Sequence, residues 1–88
     1  PVYAAASGSV ILNRSGSYNG GYGNYIVISH PNGTQTLYSH LSKNLISYGA
    51  SVSKGQLIGL VGHTGRTRPT GPRGCHLHFE VRGAKNPF

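Results

Sequence analysis

Apolar and polar residues alternate over several short stretches of this chain, and turn residues separate the stretches. The pattern predicts strands over residues 1–6, 8–13, 24–30, 34–40, 56–61 and 77–82. Asn32 and Gly33 form an Asn-Gly turn signal, which predicts that the third and fourth strands make a hairpin. No stretch has a sustained helical period, so the prediction is an all-β fold with antiparallel β-sheets in an open barrel or sandwich.

The strand after the Asn-Gly turn shows how alternation assigns residues to faces. Successive side chains on a strand point to opposite sides of the sheet. Thr36, Tyr38 and His40 are therefore expected on one face, with Leu37 and Leu41 on the other.

The segments between the strands carry weaker signals. Residues 16–23 are predicted to be a flexible loop, and residues 41–48 to be irregular or a short turn of helix. Residues 49–55 are predicted to be a turn-rich crossing that leads into a buried strand. His30 precedes Pro31 at a turn and is expected to be exposed and chemically inert.

The last predicted strand holds the most informative residues. Alternation gives it a polar face of His76, His78 and Glu80 and an apolar face of Leu77, Phe79 and Val81. The apolar face suits a core, and the polar face brings two imidazoles within reach of one point. Neutral imidazole is the commonest nitrogen ligand of zinc, so these two histidines are candidates for a metal site. For a bare His-x-His pair, a half-exposed strand with outward polar residues is the simpler interpretation, and the rest of the sequence decides.

Length and composition indicate one small domain. The 88 residues include 14 glycines, which favour turns and short strands. The longest apolar run, residues 57–61, is far shorter than the ~20 residues that cross a bilayer, so no transmembrane segment is expected. The chain opens at Pro1, which is not an initiation residue, and we expect a fragment or a processed product.

The charge balance is strongly basic. Eight Lys and Arg residues face one acidic residue, Glu80, for a formal net charge of +7. Such a chain is expected to associate with polyanions, either nucleic acid or an anionic cell envelope. The basic residues are scattered along the sequence, without the clustered stripe that a nucleic-acid footprint usually shows.

Five segments of the chain occur in an order that is typical of one protein family. They are residues 1–8, 23–28, 38–41 (Tyr-Ser-His-Leu), 52–62 and 76–81 (His-Leu-His-Phe-Glu-Val). Together they strongly resemble the M23 family, which contains zinc peptidases related to lysostaphin and LytM. The resemblance implies a single M23-type peptidase domain over residues 1–88, secreted or bound to the bacterial envelope. It also implies an enzyme that hydrolyses the peptide cross-bridges of peptidoglycan.

The resemblance also implies roles for individual residues. His78 matches the histidine that ligates zinc, whereas His40 and His76 match catalytic groups that orient or deprotonate the zinc-bound water and stabilise the oxyanion. Tyr18 and Tyr22 lie in a loop that borders the substrate groove in the family. Their rings are expected either to stack on peptide or sugar or to pack within the turn.

Two of the zinc ligands of the family have no counterpart in this sequence. They belong to a His-x-x-x-Asp segment shortly before the position of Pro1, and this chain contains no aspartate. A catalytic zinc normally has three protein ligands and an open position. We therefore expect a domain truncated at its N-terminal side that binds zinc weakly and is inactive alone. The alternative is a degenerate family member that binds the cell wall or activates other wall hydrolases.

Residues 66–74 form a long basic link before the His-x-His motif. This link either selects an anionic peptide or wall polymer or is an unselective surface loop.

Other interpretations explain less of the sequence. Residues 52–59 share a sequence pattern with biotinyl and lipoyl carriers. Those carriers present a modified Lys, flanked by Met or similar residues, at the tip of a hairpin, whereas this chain has no Met and no Lys in a comparable hairpin. A small nucleic-acid-binding barrel is supported only by charge and tyrosines, so no nucleic-acid partner is expected.

Overall fold

The computed structural model of the protein describes residues 1–16, 21–64 and 77–83. These residues contain the strands β1 (Val2–Tyr3), β2 (Gly8–Arg14), β3 (Asn24–Ser29), β4 (Gln35–Asn44), β5 (Ser51–Val52), β6 (Leu57–Val61) and β7 (His78–Arg82). All pairings are antiparallel, in the order β1-β6-β4-β3-β2-β5, with β7 also beside β4. The sheet curls into a half-barrel, so the expected all-β antiparallel fold is confirmed.

One face of the curled sheet carries the hydrophobic core. The core consists of Val2, Ala4, Val10, Ile26, Ile28, Tyr38, Leu41, Val52 and Ile58. Burying each of the larger aliphatic side chains contributes roughly 1.5–3 kcal/mol. Because strand side chains alternate, Val27 and Leu37 lie on the opposite face, and both are buried there as well. Within the described residues, no helix has the length and apolar character that crossing a bilayer requires.

β4 organises the sheet because it changes partners along its length. β3 pairs with one side of it, whereas the other side pairs first with β7 and then with β6. Residues 41–44 belong to this strand, so the prediction of an irregular or helical segment there was wrong. Their sequence lacks a clear alternation, and pairing with β6, from Leu41 opposite Val61 to Asn44 opposite Gly59, holds them extended.

Two apolar patterns are less buried than the sequence suggests. In β6 only Ile58 and Gly59 are buried, while Leu57, Leu60 and Val61 are exposed, so the prediction of a fully buried strand was wrong. Phe79 and Val81 share the apolar face of the last strand as predicted, and Leu77 lies just before that strand, but each of the three is about 40% exposed. The Phe79 ring still packs edge-on against the core residue Tyr38, with the ring centroids 5.3 Å apart.

His30 is buried, although its position beside a turn predicted exposure. Its Nδ1–H donates to the carbonyl oxygen of Ser7 over 2.8 Å, and its Nε2 bonds the Thr36 hydroxyl over 2.8 Å. The Thr36 hydroxyl bonds the Tyr38 hydroxyl over 2.8 Å, and the Ala5 amide donates to Tyr38 over 3.0 Å. We call these five residues the His30 network. The partner carbonyl is 23 positions away along the chain, so the local turn gives no sign of it.

Candidate active site

The polar face of β7 presents three side chains in a row. His78, Glu80 and Arg82 are spaced by two residues, and alternation places them on one face. His78 Nε2–H donates to Glu80 Oε2 over 2.6 Å, which agrees with the predicted shared face of these two residues. His76, the first histidine of the motif, lies outside the described residues.

Glu80 is the centre of a hydrogen-bonded group that also contains Tyr22, His78 and Arg82, here called the Glu80 cluster. Its Oε2 accepts from the Tyr22 hydroxyl over 3.1 Å as well as from His78. Its Oε1 accepts from Arg82 Nε over 2.9 Å, and Arg82 Nη2 lies 2.8 Å from the same oxygen as an ion-pair contact. Arg82 Nη2 also donates to the Tyr22 hydroxyl over 2.8 Å, which closes the group.

The environment of Glu80 favours its ionised form. Burial raises the pKa of this carboxyl, but hydrogen bonds from His78, Arg82 and Tyr22, together with the Arg82 charge, outweigh burial. The net effect lowers the pKa of Glu80 below its ordinary value. The hydrogen bond from Arg82 to Glu80 in turn raises the pKa of the guanidinium. The carboxylate therefore acts as an acceptor for all three neighbouring side chains.

His40 reaches the same face through a break in the alternation of β4. The register of β4 against β3 shifts here, and Ser39 and His40 together lie opposite Tyr25. His40 has φ +60°, in the left-handed region that non-glycine residues rarely adopt. The prediction that His40 shares a face with Thr36 and Tyr38 was wrong because the bulge turns its side chain. Its ring centroid lies 5.9 Å from that of His78.

The backbone and the ring of His40 are both anchored. Its amide donates to the carbonyl oxygen of Tyr22 over 2.9 Å. Its Nδ1 lies 2.7 Å from the carbonyl oxygen of Thr64, and a carbonyl can only accept, so Nδ1 carries the hydrogen. The Thr64 hydroxyl donates to the Leu41 carbonyl over 2.6 Å and accepts from the Asn24 amide over 3.0 Å. His40 is 6% exposed and is held from two loops.

Gly62 allows Thr64 to reach His40. A Cβ atom at this position would lie 2.5 Å from the backbone nitrogen of Ser42 and 2.7 Å from its Cβ. Real Cβ contacts are not this short, so only glycine fits where the end of β6 passes β4. The requirement is for space, since the strand and the loop to Thr64 approach each other here.

Tyr22 connects the two histidines of the site. Its carbonyl holds the His40 backbone, and its hydroxyl belongs to the Glu80 cluster. Its ring centroid lies 6.1 Å from that of His78 and 5.3 Å from that of Tyr25. Tyr18, the other predicted substrate-binding tyrosine, and the basic link 66–74 lie outside the described residues.

Sequence reasoning did not assign a role to Glu80, Arg82 or Thr64. The sequence did indicate that Glu80 and Arg82 share a face with His78, because they follow it at two-residue intervals on a predicted strand. Glu80 is also the only acidic residue of the chain. For Thr64 the available signal was its position two residues after a glycine at the end of an apolar strand.

Zinc is the metal that the family resemblance implies, and the donor set can be tested against it. Metal-ligating histidines usually donate their other ring N–H to a carboxylate or carbonyl, as His78 does to Glu80. His78 therefore fits the part of one zinc ligand. Over residues 1–16, 21–64 and 77–83 there is no group of three His, Cys, Asp or Glu side chains that could hold a metal ion. The described residues fit a portion of a zinc site and do not complete one.

Comparison with known proteins identifies relatives of this chain. The profile of peptidase family M23 matches residues 1–88. The peptidoglycan DD-endopeptidase ShyA of Vibrio cholerae is 51% identical over 85 residues, which cover 94% of this chain and 18% of that protein. The similarity thus concerns one region of a much longer relative.

Solved structures share the fold as well as the sequence. A zinc-containing peptidase from Vibrio cholerae has a TM-score of 0.78 and 46% identity, covering 92% of this chain and 22% of that one. The catalytic domain of lysostaphin from Staphylococcus simulans has a TM-score of 0.78 and 34% identity, covering 98% of this chain and 61% of that domain. Both comparisons span nearly all of the half-barrel.

Proposed function

The chain belongs to peptidase family M23, and from that premise we propose that it forms part of the catalytic domain of a zinc-dependent endopeptidase acting on bacterial peptidoglycan. The observation that carries the proposal is the 5.9 Å separation of the His40 and His78 ring centroids. These residues come from different strands, and His40 adopts a conformation that costs a non-glycine residue roughly 1–2 kcal/mol. Strain of this kind is concentrated at functional sites.

In this proposal His78 is one protein ligand of zinc, and the remaining ligands come from outside the described residues. Zinc supplies Lewis acidity, which lowers the pKa of water and polarises a carbonyl. The His40 Nδ1–H donates to the Thr64 carbonyl, so the neutral ring has its lone pair on Nε2. This nitrogen can take up a proton at the reacting centre. Once protonated, the same nitrogen can donate to a developing oxyanion. His76 is proposed as the second catalytic imidazole.

The substrate assignment rests on the relatives. ShyA of Vibrio cholerae is named a peptidoglycan DD-endopeptidase, and Mpg of Neisseria meningitidis a DD-carboxypeptidase/endopeptidase. We assign this chain to the same substrate class, a peptide cross-bridge of the wall, with an envelope or secreted location. The net charge of +7 suits a substrate surrounded by anionic wall polymers. Tyr18 and Tyr22 are proposed to border the bound peptide.

The test compares the 88-residue chain with a longer protein that includes the coding sequence upstream of Pro1. Purified peptidoglycan is incubated with each protein and zinc, and released muropeptides are separated and identified by mass. We expect cleavage by the longer protein, none by the 88-residue chain alone, and loss of cleavage on zinc removal. In the longer protein His78→Ala should lower both bound zinc and cleavage. His40→Ala should lower kcat by about 10²–10⁴-fold with zinc content unchanged.

The exposed His63 supplies a matched control, because His63→Ala removes an imidazole that is not part of the proposed machinery. It should retain cleavage and zinc content. Equal loss of zinc in His40→Ala and His78→Ala would contradict the assignment of His78 alone as the ligand of this pair.

A second candidate is a non-catalytic domain that binds the wall or activates another hydrolase. This candidate needs no complete zinc site, and the described residues do not form one. The two candidates differ in the upstream coding sequence. A His-x-x-x-Asp segment there supports the peptidase, whereas its absence, with wall binding and no cleavage, supports the second candidate.

A further inference from the structure

We propose that Glu80 is a positioning residue that sets the ring orientation and the tautomer of His78, and that Tyr22 and Arg82 hold Glu80 in place for this task. The neutral His78 ring then carries its hydrogen on Nε2 and its lone pair on Nδ1. The inference rests on the proposed function only in treating His78 as a metal ligand. The tautomer itself is a property of the metal-free chain.

The tautomer follows from the chemistry of the partner. The His78 Nε2 atom lies 2.6 Å from Glu80 Oε2, and an ionised carboxylate can only accept a hydrogen bond. A lone pair on Nε2 would face the lone pairs of the carboxylate at this distance, which is repulsive. The hydrogen therefore sits on Nε2, and the same bond fixes the plane of the ring.

Glu80 can act in this way because it is itself held at both oxygens. Arg82 Nε donates to Oε1 and its Nη2 lies 2.8 Å from the same oxygen, whereas Tyr22, 58 positions away along the chain, donates to Oε2. The side chains of His78 and Arg82 are each about 40% exposed, and that of Glu80 is 29% exposed. Water weakens such pairs, so the geometry of the ring is a larger consequence of the cluster than stability.

The neighbouring histidine has the opposite arrangement. The Thr64 carbonyl places the hydrogen of His40 on Nδ1, whereas Glu80 places the hydrogen of His78 on Nε2. The lone pairs are then on Nε2 of His40 and on Nδ1 of His78. The two facing imidazoles are thus made chemically different by their acceptors, which suits one to metal ligation and the other to proton transfer.

The test reads the tautomers directly in the metal-free 88-residue chain. The protein is labelled with ¹⁵N-histidine and studied by long-range ¹H–¹⁵N correlation at a pH about two units above ~6.5, where imidazoles are neutral. We expect the Nε2–H to Nδ1–H ratio of His78 to exceed that of the exposed His63 by about tenfold or more, the bias of one charge-assisted hydrogen bond. His40 should show the opposite tautomer.

Variants then separate positioning from a general structural effect. Glu80→Gln replaces the carboxylate by a neutral amide, so the His78 ratio should fall toward that of His63. Arg82→Gln and Tyr22→Phe should give smaller falls, because each removes one support of the carboxylate. Val81→Ala, on the opposite face of the same strand, is the matched control and should leave the ratio unchanged.

A His78 ratio equal to that of His63 in the unaltered chain, or a ratio that Glu80→Gln does not change, overturns the proposal. If Glu80→Gln does not fold, as judged by its amide spectrum, the unaltered chain and Arg82→Gln still decide the result. The outcome is independent of peptidase activity. If the longer protein fails to cleave peptidoglycan while the 88-residue chain shows the expected ratios, the proposed function is refuted and the positioning role stands.

Discussion

His30 and His78 both use ring nitrogens to bond polar partners, but they do so in different surroundings. His30 is 6% exposed and bonds a carbonyl and a hydroxyl, both neutral. His78 is half exposed and bonds a carboxylate within a group of charged side chains. The comparison separates a histidine that holds the fold together from one that the fold positions for chemistry.

The His30 network is directional and complete. Because Ser7 offers a carbonyl, His30 Nδ1 carries the hydrogen and Nε2 accepts from the Thr36 hydroxyl. The Thr36 hydroxyl then accepts from the Tyr38 hydroxyl, which accepts from the Ala5 amide. Each hydroxyl donates once and accepts once, so the network ties the β1–β2 loop to β3 and β4 with no donor left over.

Solvent explains why the two groups differ in their contribution to stability. A buried donor or acceptor that loses its partner costs about 1–3 kcal/mol, since water cannot replace the bond. Around His78 water can reach the side chains and compensate for a lost bond. The His30 network is therefore expected to govern the stability of the fold, and the Glu80 cluster to govern the tautomer of the His78 ring.

The largest loss of stability is expected from His30→Ala. It leaves the Ser7 carbonyl and the Thr36 hydroxyl without their partner and opens a cavity, so the free energy of unfolding should fall by about 3 kcal/mol. His63→Ala, which removes an exposed imidazole, is the matched control and should change it by no more than about 0.5 kcal/mol. Urea unfolding of both variants measures the difference.

The Tyr38→Phe variant sharpens this test because it breaks the same network at the other end. If the network acts as one unit, His30→Ala and Tyr38→Phe combined should cost less than the sum of the single changes. Additive costs would mean that the bonds are independent and that the His30 network is not a unit.

An intermediate loss of stability is expected from Gly62→Ala, which acts on the candidate active site rather than on the His30 network. The new Cβ would press on the Ser42 backbone 2.5 Å away, and overpacking of this kind costs about 2 kcal/mol. The strand end should move and carry Thr64 away from His40. Histidine NMR signals should therefore shift for His40 and stay unchanged for His30.

Gly59→Ala is a useful companion in the same strand, since its Cβ would meet the Lys43 carbonyl at 2.9 Å and lies further from Thr64. It should destabilise the sheet with a smaller shift of His40. Equal shifts of His30 and His40 in Gly62→Ala would show that the two regions do not respond separately.

Much of the fold was predictable because it depends on short-range patterns. Alternation and the Asn-Gly turn at Asn32 located the β3–β4 hairpin and the face shared by His78 and Glu80. The family motifs also pointed to His40. These features repeat every two residues or within one turn, so a single sequence contains them.

The errors at His30, His40 and the Glu80 cluster involve partners that are distant along the chain. His30 was predicted to be exposed, but it meets residues of two other segments in the core. His40 was assigned to the wrong face because a bulge depends on pairing with β3, which alternation does not include. The Glu80 cluster likewise depends on Tyr22 arriving from another loop.

The smallest change in stability is expected from Glu80→Gln, although this is the only acidic residue of the chain. The variant removes a half-exposed ion pair with Arg82, and such pairs contribute about 0.5 kcal/mol or less. Urea unfolding should therefore barely change while the His78 tautomer ratio does. Ser47→Lys, which likewise raises the net charge by one at an exposed position outside the cluster, controls for the change in net charge. A loss as large as that of His30→Ala would make the Glu80 cluster a structural element and remove the distinction between the two histidines. A small loss of stability together with a changed His78 tautomer ratio instead means that the polar face of β7 can change its chemistry without destabilising the sheet.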